Sequence, residues 1–317
     1  MSFDFDAAVV APFRMQPGLR RMAAGAQQLT PVTAAGSRHQ REKLAVLTHW
    51  HHQALVARPG FDAQPGLQEL FEQAGALHPQ AWDWDGQRVH APLLGVLLSR
   101  AGDVQHTEPG PHGLGAEVTR CLQQLPPAWR LTGLLCLAFE EDFAIVDGAD
   151  ASIPWLAVTL PSHWAPETKV GRHFAEVHAP VADNSLLLKA GESLTRLVCG
   201  PERWERFVWT VTDQPQLQAH PQRTSPARWQ NADVAGAWWR TEHQTFIPMP
   251  KFNQAVFTIH VQVQPLADVV RWPGRAQALH DAVASMSDAV LHYRHLQRVQ
   301  QPLLHWLAGQ AATAGAP

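Results

Sequence analysis

Two long strand-like runs, Trp238–Ile247 and Ala255–Val263, are separated only by PMPKFNQ at 248–254, a length suited to a hairpin loop. Two such runs so joined commit the chain to an antiparallel sheet. Further β-prone runs extend it. These are FAIVDG at 143–148, PWLAVTLP at 154–161, joined to it by a turn-forming Gly-Ala-Asp-Ala-Ser segment, and Arg206–Thr212.

Helical spacing occupies the rest. Apolar residues recur at three and four positions from Arg41 to about Ala57 and over Leu67–Leu77, as in Leu67, Leu70, Phe71 and Ala74. A third helix is predicted over Ala116–Leu125, stopped by Pro126-Pro127. Ser185–Val198 reads as a helix with Leu187, Ala190, Leu194, Leu197 and Val198 on one face, Asp183 or Ser185 as N-cap and Gly200-Pro201 as its stop. Leu279, Val283, Met286, Val290 and Tyr293 keep a four-three spacing, and a short helix around Leu303–Leu307 begins near Pro302. Residues 1–40 read as an irregular surface arm, GDVQHTEPGPHGLG at 102–115 as a loop, and WDWDG at 82–86 as a turn with two anchoring tryptophans. The outline is α+β, with helices at both ends of an antiparallel sheet that carries an inserted helix. It divides into an N-terminal arm and helical region (1–128), a core (129–270) and C-terminal helices (271–317).

Bulk properties exclude some functions. A net charge of -3 offers no basic excess for neutralising phosphates, so neither DNA nor RNA is expected as a partner. Three cysteines without a CxxC spacing argue against a disulfide framework or a thiolate zinc site. The start MSFDFDAAVVAPFRM lacks the basic and long apolar regions of a secretory signal, and no membrane-length apolar stretch follows, so a cytoplasmic location is expected. No Gly-rich phosphate loop, GxSxG elbow or HExxH motif occurs.

Four constellations could carry chemistry. In WRTEHQTF at 239–246, strand alternation puts Arg240, Glu242 and Gln244 on one face, either converging on a ligand or simply solvated. In GRHFAEVHAPV at 171–181, His173 and His178 precede a rigid turn where a neutral imidazole could serve iron, although a single histidine is more often structural. THWHH at 48–52 could share a metal between His49 and His52 or be a solvated helix face. Cys199 could be a thiolate ligand or, at the end of an apolar helix, an inert buried thiol.

Several segments in order resemble the oxygenase (α) subunits of haem-dependent oxidative N-demethylases, also described as dimethylamine monooxygenase subunits. They are FAIVDG, PSHWAPETKVGRHFAEVHAPV (161–181), Arg206 and Trp209 in RFVWTV, WWRTEHQTFIPMP (238–250) with FTIHVQVQPL (257–266), and the helix through Met286 and Tyr293. The resemblance runs from roughly Pro12 to Leu307 and is most specific over 143–266. It implies a PAS-like core that clasps haem b, a separate electron-donating reductase, and oxidation of a small secondary amine by O2 to a primary amine and formaldehyde. It implies His178 as the proximal iron ligand, with Arg206 and Trp209 around the haem; the predicted sheet also carries His260, a further candidate haem neighbour. Glu242 would orient or deprotonate the amine, and Arg240 and Gln244 would position Glu242, a propionate or the substrate. The sequence departs from the family at His243, where an Arg usually follows the Glu, and at Phe207-Val208 before Trp209. The competing expectation is a haem-binding PAS-like sensor or carrier without turnover, since a fold does not fix a function.

Overall fold

The computed structural model describes residues 3–33, 36–107, 116–231 and 233–314. In chain order its strands are β1 (Arg20–Arg21), β2 (Leu55–Ala57), β3 (Asp83–Trp84), β4 (Arg88–Ala91), β5 (Val96–Ser99), β6 (Val104–His106), β7 (Glu141–Asp147), β8 (Ser152–Ala157), β9 (Trp204–Thr212), β10 (Trp238–Met249) and β11 (Gln254–Pro265). A seven-stranded antiparallel sheet runs β1-β9-β10-β11-β7-β8-β2, and β3 to β6 form a separate four-stranded meander. The expected hairpin is the middle of the large sheet. β10 and β11 pair from Trp238↔Pro265 to Met249↔Gln254, and Asn253 closes the loop at φ 51, a left-handed position that Asn tolerates better than most residues.

The helices are α1 (Phe5–Ala8), α2 (Arg38–Ala54), α3 (Gln64–Leu77), α4 (Glu117–Gln124), α5 (Arg130–Ala138), α6 (Phe174–His178), α7 (Ser185–Val198), α8 (Leu266–Val270), α9 (Arg275–Ala284), α10 (Asp288–Tyr293) and α11 (Gln300–Ala314). The chain is thus α+β, as its pattern predicts. No helix among the described residues is long and apolar enough to cross a membrane.

The two faces of the large sheet are covered differently. Odd-numbered β10 residues such as Trp239, Ile247 and Met249 enter two large apolar clusters, one built with α2 to α5 and the meander, the other with α8 to α11 and the N-terminal arm. We call this the closed face. Even-numbered β10 residues share the other face with Trp204, Arg206 and Val208 of β9 and Phe257 and Ile259 of β11, which the pairing registers place beside them. Only smaller apolar clusters line that side, and α7 lies over β10 there.

Several expectations needed correction. WDWDG does turn, with Asp85 Oδ1 accepting from the amides of Gln87 and Arg88, but it also opens the meander. Strands of two to four residues are too short to show alternation. The four-three pattern through Tyr293 is two helices, because Ser287 caps the second by accepting from the Val290 amide. α7 has the expected span, yet Asn184 is its N-cap and its buried stripe is Leu187, Gly191, Thr195 and Val198, leaving Leu197 exposed. Part of the Gly-Pro-His loop, residues 108–115, lies outside the described residues.

Candidate functional site

The site is built where α6 crosses the less covered face. His173 caps α6 by accepting from the Ala175 amide, which starts a single turn that ends at His178. Phe174 lies four residues before His178, and helical i,i+4 neighbours face each other. Their rings stack with centroids 4.0 Å apart. Gly191 of α7 makes this packing possible, since a Cβ there would meet Phe174 Cδ1 at 2.7 Å.

His178 Nδ1 bonds the Phe174 carbonyl oxygen at 2.8 Å, so it carries the proton of a neutral ring and donates it. Nε2 has no hydrogen-bond partner among the described residues. Burial holds the imidazole at a pKa of about 4, and the nearby positive charges of Arg206 and Lys169 push the same way. The ring is therefore neutral at pH 7, oriented by a backbone acceptor and able to offer Nε2 to a metal, the usual arrangement of a ligating histidine.

Arg206 stands beside Gln244, in register with it across β9 and β10. Its Nε is buried and without a partner, and burial lowers its affinity for its proton, with the charge of Glu242 opposing. A cation so placed is stabilised by an incoming anion. Glu242 is partly buried on the same face and accepts a 2.6 Å hydrogen bond from Gln244 Nε2. Tyr293 of α10 is close enough for the charges of Glu242 and Arg206 to act on it, after burial, which raises its pKa most. The structure thus brings together His178, Arg206, Glu242 and Gln244.

Other expected residues stand elsewhere. Arg240 points to the same face but is occupied as a clip. Its Nε donates to Ser162 Oγ, and its Nη atoms donate to the carbonyls of Gln216, Pro161 and Leu217, joining two loops. Four of its donors are spent, so it has little left for a propionate or a substrate. Trp209 lies on the closed face, stacked on Trp239 at 5.0 Å with its Nε1 donating to the Ala8 carbonyl. His260 also lies on the closed face, 2.8 Å from Glu140 through Nε2. Strand parity removes both from the cleft: Trp209 pairs with Thr241 and His260 with His243, whose side chains point away from Glu242. His243 itself bonds Glu205 at 2.7 Å and stacks on Phe207.

His49 and His52 are exposed on α2 near its distortion at Trp50. Cys199 is buried, its thiol pushed up to about 12 by burial and by Asp147, which suits an inert side chain. Sequence reasoning did not assign roles to Phe174, Lys169 or Tyr293. The i−4 aromatic before His178 was a readable signal for Phe174, whereas Tyr293 reaches the cleft only through the break before α10.

The donor set on this face fits a haem group. An imidazole with a free Nε2 and a guanidinium with an orphaned Nε are suitable for iron and for a propionate respectively. Residues 116–304 match the family model described as haem-dependent oxidative N-demethylase, alpha subunit-like, and the chain belongs to that family.

Proposed function

We propose that this chain is the haem-dependent oxygenase component of an oxidative N-demethylase acting on a small secondary amine, with a PAS-like core formed by the large sheet and the helices over its less covered face. The observation that carries this reading is the placement, on one face of the sheet, of the pre-oriented neutral His178 near Arg206, whose buried Nε has no partner. His178 Nε2 would hold the iron of haem b and Arg206 a propionate. Bound haem supplies the oxygen-dependent oxidation of an N-methyl group, in which one oxygen atom leaves in formaldehyde and the other in water.

The protein's own residues prepare the substrate. A secondary amine is cationic at neutral pH, so a carboxylate in the cleft attracts it. Glu242 would take the ammonium proton onto a carboxylate oxygen and leave the free base, whose nitrogen lone pair favours oxidation at the neighbouring methyl carbon. Gln244 fixes the angle of that carboxylate through its 2.6 Å hydrogen bond. Arg240 acts indirectly, by holding the 161–162 and 216–217 loops at the rim. Electrons would come from a separate reductase, because the sequence contains no flavin or iron–sulfur motif.

The test compares wild type with His178→Ala and Glu242→Gln after expression with ample haem. His178→Ala should lose haem, read from the absorption spectrum, by a factor on the order of 100 in affinity. Glu242→Gln should keep the haem spectrum but release little formaldehyde from methylamines when a chemical donor reduces the protein. Full haem retention by His178→Ala would remove the assigned ligand. A reducible wild type that makes no formaldehyde across a broad amine panel would favour the sensor or carrier instead.

A further inference from the structure

We propose that His39, Glu140 and His260 form a binding site for a divalent first-row transition-metal ion, on the closed face and separate from the His178 cleft. The three come from different elements: His39 from the first turn of α2, Glu140 from the residue before β7, and His260 from β11. One ligand atom from each lies within 4.8 Å of the other two, and this is the group among the described residues in which three such side chains meet. Glu140 Oε2 is 2.8 Å from His260 Nε2, and Glu140 Oε1 is 3.6 Å from His39 Nδ1. Ligand atoms around a bound zinc stand about 3–3.5 Å apart, given metal–ligand bonds of about 2.0–2.2 Å, so little movement is needed.

Proton placement makes the case sharper. His39 Nε2 lies 2.7 Å from the Val261 carbonyl oxygen, which can only accept, so Nε2 carries the proton of a neutral ring. Nδ1 then presents a lone pair to a carboxylate oxygen. Two acceptors facing each other repel unless a proton or a cation lies between them. Lys43, the nearest buried ammonium, is taken up by the Glu141 carbonyl and the Asp142 carboxylate. A metal ion satisfies both lone pairs, and the Nε2–H to carbonyl bond is the outer support that ligating histidines commonly have.

A second acid stands beside the group. Glu141 pairs with His260 across the strands, is 0% exposed, and has one carboxyl oxygen, Oε1, without a partner. Access remains from the α2 side, where the His39 and Glu140 side chains keep 13% and 19% of their exposure. Two imidazoles and one carboxylate suit zinc, or another first-row ion with open coordination positions. Bound there, the ion would tie α2 to the central strands. This inference is independent of the haem assignment.

The test is equilibrium dialysis of the purified full chain against Zn2+, Co2+ and Mn2+, with metal counted by mass spectrometry and the zinc shell read by X-ray absorption. About one ion per chain is expected, with a shell of two imidazoles plus oxygen and a raised Tm. His39→Gln and Glu140→Gln should each weaken binding at least about tenfold, as ligand-sphere losses do, with circular dichroism confirming the fold. Retention of none of the three ions, or a shell without two imidazoles, overturns the proposal. So does zinc that persists in both variants and leaves only in His49→Gln/His52→Gln; if a variant fails to fold, the wild-type shell decides alone.

Discussion

The two faces of β10 carry comparable numbers of polar side chains but treat them in opposite ways. On the closed face most polar side chains are joined in pairs, His243 with Glu205, His260 with Glu140, Thr245 with Thr258 and with Gln28, although single atoms of His243, Gln28 and Glu141 stay without a partner. On the other face the Arg206 Nε is buried with none, His178 bonds only through Nδ1 among the described residues, and Gln244 donates to Glu242. A polar residue inside a protein is therefore weak evidence of function by itself. An oriented polar atom left unpaired is stronger, because folding alone would not maintain its cost. Arg240 is a structural residue on the open side, and the His39–Glu140 contact is an unresolved acceptor pair on the closed one.

Arg240 offers the largest effect by which the contrast can be broken. Arg240→Ala strips four hydrogen bonds from loop acceptors, those on Pro161 and Leu217 buried, and denaturant unfolding should show a loss of about 3–5 kcal/mol, in the range for breaking a buried charged network. A variant with native stability but no turnover would return Arg240 to the cleft chemistry. Arg206→Met should do the reverse. Removing a buried, unpaired charge should stabilise the haem-free protein by about 1 kcal/mol and weaken haem binding about tenfold. Lower stability of the haem-free variant would mean that Arg206 is held for the fold.

The smallest effect is in pH. An unfolded histidine takes up its proton near pH 6.5, whereas folded His178 does so only at about 4 and His163, buried beside Arg240, at about 3. Between those values the unfolded chain binds more protons, so stability falls as pH drops from about 6.5 towards 4. In the haem-free protein His178→Ala should flatten that slope by up to about one proton. An unchanged slope would mean that His178 titrates as an exposed imidazole and is not the pre-set neutral ring the cleft requires.

Much of this contrast was legible in the sequence, since alternation alone separates Glu242 and Gln244 from His243 and pairs the hairpin correctly. α2, α3 and α7 were also readable, because their apolar stripes span several turns. The misplaced residues share one cause. Trp209 and His260 are on strands whose registers against β10 decide their side, and register is a property of pairs of strands that a single strand does not reveal. The meander escaped notice because its strands are shorter than a period can be counted over, and the His39–Glu140–His260 meeting because it joins residues 39, 140 and 260 through tertiary packing.

The twelve-residue pairing of β10 with β11 has one more consequence. Along this strand, odd or even position is a kind of address: Glu242 belongs to the cleft and His243 to the interior only because of how many residues precede them from the β10 start. Inserting a single residue between Arg240 and Glu242 would send the carboxylate inward and the imidazole outward without changing either side chain. The strand can thus absorb many substitutions, but its length between the Arg240 clip and Glu242 is not free to vary.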